Sequence, residues 1–124
     1  METVLWIVQV LLAAIFLITG AIKLTQPREK MAAGPMRWAA DVTDRQFRLV
    51  GLLEVLGAAG LILPAALDIA PGLTPLAATG LALTMVGAAL THLRLGEKDR
   101  VAAPLILLLL TCLVTIERFG PHSL

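Results

Sequence analysis

The sequence predicts an all-α membrane protein, a bundle of four transmembrane helices that run up, down, up and down. Of its 124 residues 58% are hydrophobic and only 15% are charged, and the mean hydropathy is +0.88. A water-soluble domain carries about 25% charged residues, so this chain has too few to cover a wetted surface. The charged residues also gather in clusters, and the apolar runs between them are long enough to cross about 30 Å of hydrocarbon.

Four apolar runs are the candidate spans. The first has no charged residue, and it lacks the basic segment that precedes the apolar part of a secretory signal, so we expect it to be retained as a helix. The second contains Glu54 as its only charged residue, and the third contains His92 near its end. The predicted spans cover residues 4–22, 49–67, 73–93 and 101–117 of a single transmembrane domain that comprises residues 1–124.

The basic residues predict the orientation. Of the 10 Lys and Arg residues, six lie between the first and second spans, three lie between the third and fourth, and Arg118 is the one near the C-terminus. Because basic loops stay in the cytoplasm, we expect both termini on the non-cytoplasmic side. We therefore expect a multi-pass protein of the cell membrane, with the bacterial cytoplasmic membrane as its place.

The loop of residues 24–48 is predicted to lie in the cytoplasmic interface. Pro27 favours a short helical turn, which Gly34 and Pro35 end. Thr43 and Gln46 have the spacing of a capping box, which predicts that the second long helix begins near Asp44, before the membrane. Three apolar side chains indicate contact with the headgroup layer rather than with open water: Met31, Met36 and Trp38.

Glu54 is the most informative residue of the sequence, because it lies inside a span. If the second helix enters the hydrocarbon near Arg48, Glu54 lies roughly 9 Å deeper, at about 1.5 Å per residue. A charge at the membrane centre costs about 2.5–3.5 kcal/mol, so this carboxyl should face the bundle and find a partner or be protonated. Lys23 and His92 end the first and third spans at the same side. We expect the three residues to form one polar cluster.

Small residues at helical spacing predict close helix packing, because they let membrane helices approach each other. The first helix offers Gln9, Phe16, Gly20 and Lys23, the second Gly51, Glu54, Ala58 and Leu61, and the third Ala77, Gly80, Thr84, Gly87 and Thr91. The helix-packing candidates are Gly51, Gly57, Gly80, Thr84 and Gly87. These faces suit either the bundle of one chain or a homo-oligomer.

Several functional classes find no support in the sequence. Two histidines on opposite sides of the membrane do not make a metal site of ordinary ligand number, and the single Cys112 disfavours thiol-disulfide chemistry. No basic patch with interleaved aromatic residues indicates nucleic-acid binding. The cluster of Lys23, Glu54 and His92 has two interpretations that remain open: a clasp that fixes helix register, or a site for a ligand or protons.

Four segments carry a resemblance to a known family: FLITGAIKL, RLVGLLEVLGAAGLILPAAL, LTPLAATGLALTMVGAALTHLRLGE and LLLLTCLVTIERFG. They cover nearly the whole chain and resemble the DoxX-like family of small four-helix membrane proteins. The matching polar positions are Lys23, Glu54 and His92. The resemblance implies partnership with membrane oxidoreductases, since the family takes its name from a subunit associated with a thiosulfate:quinone oxidoreductase, while distant animal relatives resemble receptor chaperones and cargo receptors.

Three functions from different classes are therefore expected candidates. The first is a non-enzymatic accessory or assembly protein whose polar cluster near the cytoplasmic face holds the bundle and binds a small amphiphile. The second is the membrane subunit of a quinone-linked oxidoreductase, with Glu54 and His92 at the quinone head group. The third is a small transporter or proton pathway. The chain has no nucleotide fingerprint, metal cluster or cysteine pair, so we expect no cofactor of its own beyond a bound quinone or lipid, and no catalysis by the chain alone.

Overall fold

The computed structural model describes all residues from Met1 to Leu124, and they form helices joined by short turns without any strand. The helices are α1 (Glu2–Thr25), α2 (Arg28–Ala32), α3 (Asp44–Leu67), α4 (Leu73–Arg94) and α5 (Ala102–Phe119). Two single 3₁₀ turns, Arg37–Asp41 and Lys98–Arg100, complete the connections.

The predicted fold class is confirmed. Helix α1, helix α3, helix α4 and the segment containing α5 are each long and apolar enough to cross a membrane. Arg118 Nη1 lies 2.7 Å from Glu2 Oε1, so the first and last helices meet where the chain begins and ends. We call this the terminal end of the bundle, and the opposite end, with residues 26–43 and 95–101, the loop end. That the terminal end faces away from the cytoplasm stays a prediction of the charge distribution.

Helix α3 begins before its apolar run, as the capping box predicted. The Thr43 hydroxyl accepts from the Gln46 backbone N–H, and the Gln46 side chain accepts from the Thr43 backbone N–H. These two bonds satisfy donors that a helix start otherwise leaves free. The helix therefore starts at Asp44, five residues ahead of the apolar span predicted at 49–67.

The four long helices pack in the order α1, α3, α4, α5, and α1 touches α5 over a much smaller area than it touches α3. Their shared core is apolar and lies between the two ends of the bundle; it comprises Leu12, Phe16, Ala58, Leu61, Ala78, Leu81, Met85 and Val114. Most of the remaining large apolar side chains face outward. In a soluble protein such a surface is a liability, whereas hydrocarbon chains can cover it.

The structure shows open space beside two of the small residues of the third span. Gly80 and Gly87 have no neighbouring atom within 4 Å of the place where a Cβ would stand, and Thr84 lies on the same outward side, where its hydroxyl bonds the Gly80 carbonyl. The core face of α4 carries larger side chains instead, among them Leu81 and Met85. The small residue that faces Leu81 lies on α3.

Gly57 of α3 provides that small surface. A Cβ at Gly57 would lie 2.6 Å from Leu81 Cδ2, so the absence of a side chain there makes room for Leu81. Gly51 and Gly57 lie against neighbouring helices, whereas Gly80 and Gly87 have open space beside them within the chain; the helix-packing role of Gly51, Gly57, Gly80, Thr84 and Gly87 stays a prediction. Spacing alone showed that α4 has a small-residue face but not which neighbour faces it.

The segment between α1 and α3 folds onto the loop end. Met31, Ala39 and Phe47 form a small buried cluster of their own, and the ring of Trp38 lies 5.6 Å from that of Phe47 at an interplanar angle of 43°. Arg28 ties the segment together by donating to the Ala39 carbonyl and to Asp44. The segment is therefore a packed cover over the ends of α1 and α3.

Candidate functional site

The closest approach of α1 and α3 is made by two glycines. A Cβ at Gly20 would lie 2.7 Å from the Gly51 carbonyl oxygen, and a Cβ at Gly51 would lie 2.7 Å from Lys23 Cβ. Both distances are shorter than ordinary contacts and involve rigid atoms, so any side chain at either position would push the helices apart. Because the helices are this close, the long Lys23 side chain on α1 can reach Glu54 on α3.

Those side chains form a buried salt bridge. Lys23 Nζ lies 2.8 Å from Glu54 Oε1, and the two side chains are only 8% and 3% exposed. Thr19, one turn before Lys23 on α1, donates its hydroxyl to the other carboxylate oxygen, Oε2. We call Thr19, Lys23 and Glu54 the clasp. Because both oxygens of the carboxylate have a donor, the desolvation cost of burying the charge is offset locally.

Trp38 and Arg48 complete the surroundings of the clasp. The Trp38 ring centroid lies 5.9 Å from Lys23 Nζ, within the range of a cation–π contact. Arg48 of α3 donates to the backbone carbonyls of Lys23 and Gln26, which are left without partners at the end of α1. The loop-end cover and the clasp therefore support each other.

His92 is not part of this arrangement. Its Nδ1 lies 3.3 Å from Glu97 Oε1, in the turn between α4 and α5. The expectation of one cluster of Lys23, Glu54 and His92 thus becomes two: the clasp between α1 and α3, and a second group around Glu97. The position of His92 at the end of its span suggested that it lies at the same membrane depth as Glu54. The turn after α4, however, offers His92 an acidic partner only five residues away.

The second group is built on one carboxylate. Glu97 is 1% exposed at its side chain; Arg37 Nη2 lies 2.9 Å and Arg100 Nε lies 3.4 Å from its Oε2. Arg100 also donates to the Pro35 carbonyl at 2.6 Å. We call Glu97, Arg37, His92 and Arg100 the turn cluster, and it ties the loop-end cover to the α4–α5 turn.

The turn cluster holds its carboxyl in the ionised form. The hydrogen bond from Arg37 lowers the pKa of Glu97 below its usual 4.5, and the hydrogen bond from His92 and the charges of Arg37 and Arg100 act in the same direction. Burial opposes the shift by favouring the neutral acid. Since the donors prevail, Glu97 remains a carboxylate at neutral pH.

A third polar group, which the sequence analysis did not predict, lies at the terminal end. Arg118 of α5 is buried and donates from Nε to Gln9 Oε1 at 2.8 Å and from Nη1 to Glu2 Oε1 at 2.7 Å. Gln9 in turn donates to the Leu61 carbonyl at 2.7 Å. We call Arg118, Gln9 and Glu2 the terminal network. It connects α5 to α1 and α1 to α3.

The sequence contained a signal for Arg118. On α5 the buried residues are Pro104, Thr111, Val114 and Arg118, so the arginine lies on the helix stripe that faces the bundle. The sequence analysis counted it only as the one basic residue outside the loops. Glu97 gave a weaker signal, because a charged residue in a turn ordinarily faces water.

Two grooves on the molecule are lined by residues outside the clasp. One, of about 530 Å³, runs between α3 and α4 and is lined mainly by Leu53, Leu56, Leu81 and Leu83 with small residues between them. The other, of about 610 Å³, lies on the outer face of α1 near its start. Neither groove includes Lys23, Glu54 or His92 among its lining residues.

The family model of the DoxX-like family matches residues 7–114. The chain belongs to the DoxX-like family. The match includes all of α3 and α4 and most of α1 and α5, and with them the clasp and the turn cluster. Arg118 and Glu2 of the terminal network lie outside the matched residues. No curated protein and no solved structure matches the chain.

Membership agrees with the features of the structure itself. This DoxX-like protein is a multi-pass membrane protein with four apolar helices, and its outer surface is in contact with lipid. The buried charged side chains meet at the two ends of the bundle. Its chemistry is therefore concentrated at the clasp, the turn cluster and the terminal network.

Proposed function

We propose that this DoxX-like protein is a non-enzymatic accessory or assembly component of its membrane, in which the clasp holds α1 and α3 in one register. The observation that carries the proposal is the closed contact of Lys23, Glu54 and Thr19, in which each carboxylate oxygen has a partner from the same chain. A catalytic or transport carboxylate must exchange partners during its cycle, and this one is occupied on both sides.

The other buried charges support the same proposal. Glu97 is shared by Arg37, His92 and Arg100, and Arg118 is held by Gln9 and Glu2. Each group connects two or more segments of the chain. A bundle whose ionisable side chains are used in this way is suited to present a fixed apolar surface to lipid or to a membrane partner.

The position of the clasp argues for register rather than for stability alone. A buried salt bridge often contributes little net stability, because the two charges lose their hydration. Its opposite charges nevertheless match only when α1 and α3 are aligned correctly, since a shift of one turn, about 5.4 Å, would separate Lys23 from Glu54. A membrane helix pair that lacks a hydrophobic driving force needs such a contact to select one alignment.

The test combines ligand analysis with partner isolation. Wild type and Glu54→Gln are purified from their native membrane, and the quinones and lipids that accompany each are quantified by mass spectrometry. We expect equal quinone content in both, well below one per chain. One quinone per chain, lost in Glu54→Gln, would contradict the proposal and favour the membrane subunit of a quinone-linked oxidoreductase.

Crosslinking in intact membranes tests the accessory role. The tagged chain, expressed at its native level, is crosslinked in intact membranes and isolated; we expect a membrane or oxidoreductase partner in fixed proportion. The matched control is a chain in which Glu54→Ala loosens the clasp, which should recover less of that partner at equal abundance. A chain found alone or only with copies of itself would count against an assembly role.

A further inference from the structure

The Arg118 guanidinium has one nitrogen without an acceptor. Its Nε donates to Gln9, and its Nη1 donates to Glu2 and, at 2.9 Å, to the His122 carbonyl. Its Nη2 is buried and has no hydrogen-bond partner in the chain. Buried donors nearly always have an acceptor, and one next to a formal positive charge is costly to leave unpaired. Nη2 therefore calls for an oxygen from outside the chain.

Three of the side-chain oxygens near Arg118 already have partners: Gln9 Oε1, Glu2 Oε1 and Glu117 Oε2. The amide oxygen of Gln9 accepts from Nε, and that amide's nitrogen is committed to the Leu61 carbonyl. Glu117, one residue earlier on α5, pairs with His122 through its Oε2. The Glu2 carboxylate reaches Nη1 rather than Nη2. In this arrangement none of these oxygens accepts from Nη2.

A groove lies beside Glu2 and Trp6, the residues that contact this guanidinium, although Arg118 itself is not one of its lining residues. The groove has a volume of about 610 Å³ and is lined by Glu2, Thr3, Trp6, Ile7, Val10 and Leu11. Glu2 and Trp6 line the groove and also contact Arg118. Glu2 pairs with Arg118, and the Trp6 ring centroid lies 5.8 Å from Arg118 Cζ. The groove is polar at the start of α1 and apolar one to two turns later. This is the polarity of an amphiphile that lies at the edge of a membrane.

We propose that the groove and Arg118 form a binding site for one phospholipid. An oxygen of the lipid's head region accepts from Nη2, the Trp6 ring lies beside the glycerol level, and an acyl chain follows Ile7, Val10 and Leu11. Binding needs a small movement around the covered Nη2, which the 55% exposed Glu2 side chain permits. The site is independent of the clasp, which lies at the opposite end of α1.

The charges at the site indicate which lipid oxygen binds. Glu2 already compensates the positive charge of Arg118, so a second full negative charge would meet the Glu2 carboxylate at close range. An uncharged ester carbonyl of the glycerol backbone suits such a site better than a phosphate. The carbonyl also stands at the depth where a tryptophan side chain is favoured.

The test is native mass spectrometry of the full chain released from nanodiscs of diacyl phosphatidylcholine. We expect one lipid retained on wild type and about five- to tenfold less on Arg118→Lys, which keeps a cation but loses the forked donors, the loss expected for one charge-assisted hydrogen bond. Ile7→Trp fills the groove without touching the network and should lose the lipid as well. Ile18→Trp, an equally exposed residue near the other end of α1, is the matched control and should retain it.

The lipid chemistry is varied in a second arm. Dialkyl ether phosphatidylcholine keeps the phosphate and lacks the ester carbonyls, so reduced retention identifies the carbonyl as the acceptor, and equal retention that still depends on Arg118 identifies the phosphate. Equal retention by wild type, Arg118→Lys and Ile7→Trp, or no retained lipid on wild type, overturns the site. Because Ile7→Trp leaves the terminal network intact, misfolding of the arginine variant does not obscure the result.

Discussion

At the scale of the residue, buried charge is the main determinant of this molecule. Glu54 and Arg118 are inside the protein and would be expensive there alone, and each is accompanied by partners that supply opposite charge or hydrogen bonds. Removing one partner leaves the other buried without compensation. The effect of a substitution at these positions therefore depends on which partner remains.

The clasp predicts strong coupling between Lys23 and Glu54. We expect Glu54→Ala to lower the free energy of unfolding in detergent by about 3 kcal/mol, the lower part of the range for breaking a buried pair, because Lys23 can extend toward the interface. Glu54→Gln keeps a group that Thr19 and Lys23 can both bond and should cost less. Thermal unfolding followed by circular dichroism measures both.

A double-mutant cycle with Lys23→Met isolates the pair. Since Lys23→Met does little further harm once Glu54 is replaced, the two effects should fall short of additivity by about 1–3 kcal/mol. Simple additivity would mean that the salt bridge contributes nothing. Unaltered melting of Glu54→Ala would remove the structural role of the clasp altogether.

The turn cluster predicts a pH dependence at the loop end. Arg37 holds the pKa of Glu97 below 4.5, so the ionised carboxylate stabilises the folded state above the pKa of the unfolded chain. This contribution is lost as the pH falls below about 4.5 and through the lower pKa of the folded state. Hydrogen exchange of residues 26–43 should accelerate over that range.

Glu97→Gln is the control for this pH effect. Without a titrating carboxyl at position 97, exchange of residues 26–43 should be faster at neutral pH and should change less between pH 6 and the acid range. If hydrogen exchange of residues 26–43 changed with pH in the same way in wild type and Glu97→Gln, other carboxyl groups would control the stability of the loop end.

At the scale of the element, glycines decide which helix faces meet. We expect Gly51→Ala to destabilise the bundle by about 1–3 kcal/mol, because its methyl group would meet Lys23 Cβ and the Gly20 carbonyl oxygen. Gly87→Ala has free space around the new methyl group and should stay within about 1 kcal/mol of wild type. Chemical or thermal unfolding of the two variants side by side gives the comparison.

The variants Gly51→Ala and Gly87→Ala also test whether the outward face of α4 contacts another chain. Destabilisation by Gly87→Ala comparable to that of Gly51→Ala, together with a change in oligomeric state, would show that the open face of Gly80, Thr84 and Gly87 packs against a second copy. Equal costs without such a change would contradict the packing described for α1 and α3.

At the scale of the whole molecule, polar groups join the helices at both ends and an apolar core fills the middle. The clasp and turn cluster connect the loop end, and the terminal network connects the other. Between them, the core from Leu12 to Val114 contains no charged side chain.

The distribution of Lys and Arg predicts how the molecule is oriented. In a background in which the native Cys112 is replaced by alanine, Ser123→Cys should react with a membrane-impermeant maleimide added to intact cells, and Lys98→Cys should react only after the cells are opened. Both positions are exposed, so access through the membrane decides the result. The reverse labelling pattern would overturn the predicted orientation.

Much of this architecture follows from local features of the sequence. Runs such as Val4–Ile22 specify a membrane helix because the cost of unpaired backbone groups in hydrocarbon leaves few alternatives. The bonds of Thr43 and Gln46 set the start of α3, and the spacing of Gly51 and Glu54 placed both on its buried face. That Lys23 and Glu54 would lie at one level followed from the up-and-down path of the chain.

The tertiary structure decided which of the residues at one level meet. His92 joins Glu97 rather than Glu54, Gly80 and Gly87 of α4 have open space beside them, and Arg118 is drawn into the bundle by Gln9 and Glu2. Depth and helical period are properties of one segment, and they determine how far along and on which stripe a side chain lies. The rotation of one helix against the next depends on the fit of both surfaces, as Leu81 against Gly57 illustrates.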